Sequence, residues 1–348
     1  MKKNYSLLIA LFVVGLSVFG MNVANALTAS PAKLEISGDA GTTLTGIIEL
    51  YNEKETSQTL FTSYENFESS DDSGAPRFVG GGEGLATWLN ANDVITLGPK
   101  ERSEIPYTIS IPTDAEPGGY FAALFFGTQP PAAQGGEVSI GGRLGVLMLL
   151  RVNGDVPESA GILDFASLDE KKSFNKTPVT FSYRFSNTGG DRVVPKGTIE
   201  LKNTFGVVRD TIDPNPTEGS VLPGTARRFT NTWEAGYDGN PKGFIANAKA
   251  QWSDFHFGWY TAQLNLSYGQ KNQSADEKYS FMMFPWQLLI VVLGFIIVLW
   301  LIIKLIARSY KASIMKQMQA IQQQELDNSD QKKKTIVKKE KIVIEEKE

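Results

Sequence analysis

No cysteine occurs in this chain of 348 residues, and histidine occurs once, at His256. The first absence removes disulfides, so any folded part has to be held by apolar cores. Together the two absences remove the usual ligands of a zinc site. A basic surplus is missing as well: 34 Lys and Arg stand against 38 Asp and Glu, a net charge of −4. The tail from Lys304 holds 11 basic and 7 acidic residues and the first 26 residues add two lysines, which leaves −10 for the remainder. An acidic body of this kind disfavours nucleic acid as a partner. Ahead of residue 281 no amphipathic helix of convincing length is evident. "GGGEG" at residues 80–84 has neither the Lys-Ser/Thr ending of a phosphate loop nor a following helix, and reads as a mobile connection. "SSDDSG" at 69–74 lacks the ligand spacing of a calcium loop and reads as a solvated turn. No Gly-x-Ser-x-Gly elbow is present, and no cofactor or metal is implied.

What is present begins with two apolar runs near the ends. Lys2 and Lys3 precede an apolar stretch at 7–19, and Ala24-Asn25-Ala26 fits a small-x-small cleavage rule, so residues 1–26 read as a signal peptide. "FMMFPWQLLIVVLGFIIVLWLII" at 281–303 holds no charge and one amide, Gln287. Its length meets the roughly 20 residues needed to cross a bilayer, and Trp286 and Trp300 sit near its ends, where indoles favour the interface. Lys304, Arg308, Lys311 and Lys316 follow before the first acid, Glu325, which is a positive-inside signature. The expectation is a single transmembrane helix, an exported N-terminal portion and a basic cytoplasmic tail at 304–348. In the tail Ile306, Tyr310, Ile314, Met318 and Ile321 recur at helical spacing, and the charge-dense end from Gln331 reads as disordered.

Between these runs the signals are those of strands. "TLTGIIELYN" (43–52), "SEIPYTISIP" (103–112), "VTFSYRFSN" (179–187) and "TAQLNLSYG" (261–269) are rich in β-branched and aromatic residues. Val179, Phe181, Tyr183 and Phe185 fall on one face, with Thr180, Ser182, Arg184 and Ser186 on the other. "NTGGD" and "DPNPTEG" separate such runs as turns. The halves also echo each other. Strands end at Asn52 and Asn187 before polar turns, and "PGGYFAALFF" has an apparent counterpart in "NPKGFIANAKAQW", both read as strands. Gly118 and Gly119 read as a tight turn leading into a central strand. The fold class predicted is all-β: two tandem immunoglobulin-like β-sandwich domains, 27–155 and 156–275, divided near residues 153–161.

Signal peptide, two such domains, one C-terminal span and a basic tail resemble the WxL-interacting protein family of Gram-positive bacteria. The similar features are "SPAKLEI", "ELYNEKET", "PGGYFAALFF" and "YRFSNTGGDRVVPKGTIELKN". They also recur in other exported immunoglobulin-like proteins, including pilus-chaperone-like domains. The family resemblance implies a first domain that binds peptidoglycan and a second that binds surface proteins carrying the WxL module.

Chemistry is sparse. His256 and Asp254, two apart in "WSDFHFGWY", would share a face of a strand. The surrounding aromatics read instead as a β-hairpin with an aromatic binding surface, of which Trp252, His256, Trp259 and Tyr260 are the candidate contact residues. Phe78 and Trp88, which bound the glycine-rich loop, form a second candidate surface. These readings converge on a non-enzymatic, membrane-anchored surface protein whose partner is a cell-surface protein or a cell-wall polymer. An envelope-associated chaperone for surface or pilus-like subunits is the alternative, and an exported hydrolase the third reading.

Overall fold

The computed structural model describes residues 27–130, 142–237 and 239–345; the signal-like segment at 1–26 lies outside them. Alternation of apolar and polar residues produces two β-sandwiches in succession. In the first, one sheet is ordered β1 (Leu27–Ser30), β3 (Thr43–Asn52), β8 (Arg102–Ser110) and β6 (Leu89–Ala91). The facing sheet is ordered β2 (Lys33–Gly38), β10 (Arg143–Val152), β9 (Gly118–Gly127), β4 (Gln58–Ser69) and β5 (Pro76–Gly80), and β7 (Val94–Leu97) also pairs with β4. Ile48, Leu50 and Ile109 from one sheet close on Leu124, Phe126, Met148 and Leu150 from the other, all without solvent exposure.

The second sandwich sets β11 (Ala160–Ser167), β13 (Val179–Asn187) and β16 (Thr225–Trp233) against β18 (Gln273–Met283), β17 (Gly258–Tyr268), β14 (Lys196–Asn203) and β15 (Val208–Ile212). Its core is aromatic. Phe181 meets Phe281 at 5.5 Å, Trp233 meets Tyr260 at 5.5 Å and Phe185 meets Tyr268 at 5.3 Å between ring centres. Val179, Phe181, Tyr183 and Phe185 are all buried, as the alternation along β13 predicts. Burial, together with the nearby Asp213 charge, pushes the Tyr183 phenol well above its ordinary value, and its hydroxyl donates to the Pro214 carbonyl at 3.2 Å.

Both sandwiches belong to one compact unit. A second unit comprises Ser173–Pro178, Glu234–Gly258 and Met282–Glu348. It contains β12 (Ser173–Phe174), which pairs with the last two residues of β18, and two helices, α2 (Phe244–Ser253) and α3 (Trp286–Glu345). A four-residue helix, α1 (Leu85–Trp88), lies in the first sandwich. Only Phe284 and Pro285 separate β18 from α3. Backbone helix continues through Glu345, where charge density alone pointed to disorder; Lys and Glu favour helix intrinsically.

Helix α2 corrects the reading of "GFIANAKAQW" as a strand. Ala246, Ala248, Lys249, Ala250 and Gln251 are strong helix formers and only Ile245 is β-branched. The strand equivalent to β9 is β17: β9 lies between β10 and β4, and β17 lies between β14 and β18. The echo at the asparagines is genuine. Asn52 and Asn187 are both fully buried. Each side-chain amide donates to the carbonyl four residues on, Thr56 at 2.9 Å and Asp191 at 2.7 Å, and to a second carbonyl, Gly98 at 2.7 Å and Val221 at 2.9 Å. Each side-chain carbonyl accepts from the N–H two residues on, Lys54 at 3.1 Å and Gly189 at 2.9 Å. Replacing Asn187 by Ala strands these buried backbone groups, and we expect a loss of about 1–3 kcal/mol in urea unfolding followed by tryptophan fluorescence.

Candidate binding surfaces

Strand β9 buries both of its faces. Ala122, Leu124 and Phe126 point into the first core, while Ala123 and Phe125 on the opposite face are also buried, as is Leu149 on β10. Phe78 and the Arg143 guanidinium cover Phe125, at 4.8 Å and 4.0 Å from its ring centre. Further along, Phe67 and Leu149 line a cleft whose other wall is Glu218, Leu222 and Arg227 of the second sandwich.

Charged side chains surround this junction. Arg151 donates to Asp191 at 2.6 Å, and Arg192 donates to Glu35 at 3.1 Å. Arg184 forks onto the Asp72 carboxylate at 2.7 and 3.1 Å, and the Arg228 N–H donates to the Asp72 carbonyl at 2.6 Å. Asp72 therefore joins the sandwiches rather than decorating a solvated turn; the partner arginines lie more than 100 residues away and leave no local signature. Gly118 and Gly119 are not a turn but the first residues of β9. The Gly119 N–H donates to the Gly190 carbonyl at 2.9 Å, and a Cβ there would stand 2.6 Å from the Asp191 carboxylate oxygen.

Two clefts at the junction open on the face of β2 that carries Lys33 and Glu35. One, of about 360 Å³, is lined by Glu35, Arg151, Glu158, Asp191 and Arg192 among others. The other, of about 320 Å³, includes Lys33, Phe67, Leu149 and Arg227. Strand β2 is the terminal strand of its sheet. On its inner side the Leu147 N–H donates to the Ala32 carbonyl at 3.0 Å, and the Asn153 N–H to the Gly38 carbonyl at 2.9 Å. Backbone polar groups alternate sides along a strand, so Lys33, Glu35 and Ser37, all exposed, turn theirs to the open edge.

The candidate contact residues separate. Trp252 lies on α2 and is 72% exposed. His256 lies in a loop, not a strand, and its Nε2 stands 2.9 Å from Asp254 Oδ1. Asp254 is a structural hub: its Oδ2 accepts from the Thr177 hydroxyl and from the Gly236 N–H at 3.2 Å. Neither junction cleft is lined by His256. The expected aromatic hairpin is absent, since α2 ends at Ser253 and Trp259 and Tyr260 open β17. Trp259 is 57% exposed, but Tyr260 points to the opposite face and is core, stacked on Phe281 at 5.9 Å. Phe78 and Trp88 also part, Phe78 lying on the outer face of the sheet and Trp88 against Tyr120 beside the first core at 4.6 Å. The glycine-rich loop between them is followed by α1 and tied to β4 by Asn66. That side chain donates to the Glu83 carbonyl at 2.7 Å and accepts from the Ala86 N–H at 3.0 Å. Phe205, at the tip between β14 and β15, is 87% exposed and was given no role by the sequence pattern. Among the described residues no group of three or more His, Cys, Asp or Glu is placed to hold a metal ion.

No protein-family model and no curated protein matches the chain. Solved structures give loose similarities. The class 5 fimbriae chaperone CfaA superposes with a TM-score of 0.36 at 10% identity, covering 73% of this chain and 98% of that one. The chaperone–tip subunit pre-assembly complex CsuC–CsuE, from archaic chaperone-usher Csu pili of Acinetobacter baumannii, gives 0.33 at 10% identity, over 74% and 98%. The E. coli chaperone DraB gives 0.31 at 8% identity, over 74% and 97%. Superpositions this loose assign neither a function nor binding residues to this chain.

Two outcomes follow from the charges. Arg151 and Asp191 have side chains only 18% and 10% exposed, so a double-mutant cycle with Arg151→Met and Asp191→Asn is expected to return a coupling of roughly 0.5–3 kcal/mol. Burial raises the Glu35 carboxyl, but hydrogen bonds from Lys33 and Arg192 and their charges outweigh it and hold the group below its ordinary value of 4.5. Its stabilising contribution is complete above that value and is lost as pH falls through the lower folded value. Stability measured against pH is therefore expected to fall less steeply on the acid side in Glu35→Gln than in the unmodified chain.

Proposed function

We propose that this chain is a membrane-anchored, non-catalytic binding protein of the cell envelope, built on two immunoglobulin-like domains, that takes up an extended segment of a surface-protein partner by strand addition along β2. The observation that carries the reading is the open edge of β2, where Lys33, Glu35 and Ser37 turn backbone donors and acceptors outward, with two clefts on the adjoining face. Main-chain hydrogen bonds supply affinity in this mode, and the clefts on the Lys33 and Glu35 face supply selectivity for those partner side chains that turn to that face. Anchoring is supported by α3, which among the described residues is the one helix long and apolar enough to cross a membrane. Lys304, Arg308, Lys311 and Lys316 after the apolar run support a cytoplasmic tail and an exported body.

The resemblance to WxL-interacting proteins makes a surface protein with a WxL module the partner class, and peptidoglycan the competing ligand. A tethered chaperone for surface or pilus-like subunits is the second reading, favoured by the same open edge, and it differs in releasing its client after assembly. Full-length protein in detergent, incubated with surface-protein extract and separately with peptidoglycan, tests the proposal. The expected result is retention of a surface protein that falls roughly tenfold in Ser37→Pro, which removes one outward donor without touching the bonds to β10. Equal retention by Ser37→Pro, or retention of peptidoglycan alone, overturns it.

A further inference from the structure

In the second unit, Ile245 and Trp252 are each 72% exposed, Phe255 and Phe257 are more than half exposed, and Phe284 and Trp286 are 40% and 43% exposed. Apolar surface on this scale marks a binding site rather than scatter. Its framework is fixed by polar contacts. Gln251, buried on the inner side of α2, donates to the Gln287 side-chain carbonyl and accepts the Leu288 N–H at 2.9 Å. Phe244 meets Trp286 edge-on at 5.8 Å, and Phe257 meets Phe284 at 6.3 Å. Asp254 fixes the intervening loop through Thr177, Gly236 and His256.

These contacts orient α2. Residues 244 and 251 lie seven apart, about 10 Å along a helix, yet both meet α3 within residues 286–288. Helix α2 therefore lies across the start of α3 rather than alongside it. Its outer face presents Ile245, Lys249 and Trp252 at i, i+4 and i+7. From Ile290 to Ile303 the large apolar side chains of α3 are exposed too, so the aromatic surface continues into the candidate span. A short helix lying crosswise where a spanning helix begins, with indole and phenyl rings outward and a lysine among them, has the chemistry of an interfacial element.

We propose that α2 and the loop at 254–257 sit in the interfacial layer of the bilayer that α3 crosses, with Trp252, Phe255 and Phe257 among the upper acyl chains and Lys249 extended to the lipid phosphates. This rests on the membrane-anchor reading above. It assigns the exposed aromatics to lipid rather than to a carbohydrate or a protein, and makes α2 a flange that sets the depth and tilt at which the second unit meets the membrane.

Because the chain has no cysteine, single labels can be placed without background. Full-length Trp252→Cys, Phe255→Cys, Val298→Cys and Ser57→Cys, each carrying an environment-sensitive fluorophore, are reconstituted into phosphatidylcholine–phosphatidylglycerol vesicles. Iodide in the water and a nitroxide attached near the lipid headgroups serve as quenchers. Labels at 252 and 255 are expected to be quenched by the nitroxide and to lose roughly threefold or more of the iodide quenching seen at 57, with 298 shielded from iodide altogether. Iodide quenching at 252 and 255 equal to that at 57, with 298 shielded, overturns the inference and leaves the anchor standing. Shielding of 252 and 255 from both quenchers assigns the surface to a protein contact and likewise overturns it. Iodide quenching at 298 removes the anchor reading, and the inference with it.

Discussion

Double-sided burial of β9 is the constraint on which the rest of the first unit depends. This strand buries Leu124 and Phe126 on one face and Ala123 and Phe125 on the other, so both faces need cover. Covering its second face takes Phe78 and Arg143 from the same sandwich, while the neighbouring Leu149 and Phe67 face the second one across a narrow cleft. The cover is held by ion pairs because the junction is only partly apolar. Arg151–Asp191, Arg192–Glu35 and Arg184–Asp72 each combine a basic residue of one sheet system with an acid of the other. Such pairs add little to stability when exposed, but they fix register well. Two sandwiches thereby share one compact unit without a disulfide.

The same arrangement leaves the β2 edge of its sheet unpaired. Sheet edges are hazards that folded proteins usually blunt. Here the edge of β2 carries Lys33 and Glu35, and Glu35 is drawn into the Arg192 pair, which discourages indiscriminate pairing while leaving the backbone groups directed outward. Charge at the edge disfavours pairing with an arbitrary strand.

Much of the architecture was legible because it is encoded locally. The alternation of Val179, Phe181, Tyr183 and Phe185 fixes β13 and its buried face, and the repeated strand-end asparagines at 52 and 187 mark a turn built twice to the same hydrogen-bond plan. What escaped detection depends on partners distant in sequence. Asp72 looks like loop solvation until Arg184 is brought to it, and the Gln251–Gln287 contact that seats α2 joins residues 36 apart. Tyr260 looked like a member of an exposed cluster because an aromatic run does not reveal that the chain changes from helix to strand within it. Trp259 and Tyr260, adjacent in sequence, therefore serve opposite faces. The apparent repeat at "GFIANAKAQW" failed for a related reason: Gly and Pro punctuation recurred, but the residues behind it are alanine-rich helix formers.

The two-residue link between β18 and α3 has a mechanical side. A long flexible stalk between an anchor and a folded body absorbs tension as entropic slack before the body feels it. With only Phe284 and Pro285 in between, tension on α3 is shared at once between Gln251, which holds Gln287 and Leu288, and Met283, the last residue of β18. Proline also restricts rotation at that point. Pulling or twisting of the helix is thus delivered to the contacts at its start as load and torque rather than absorbed as slack.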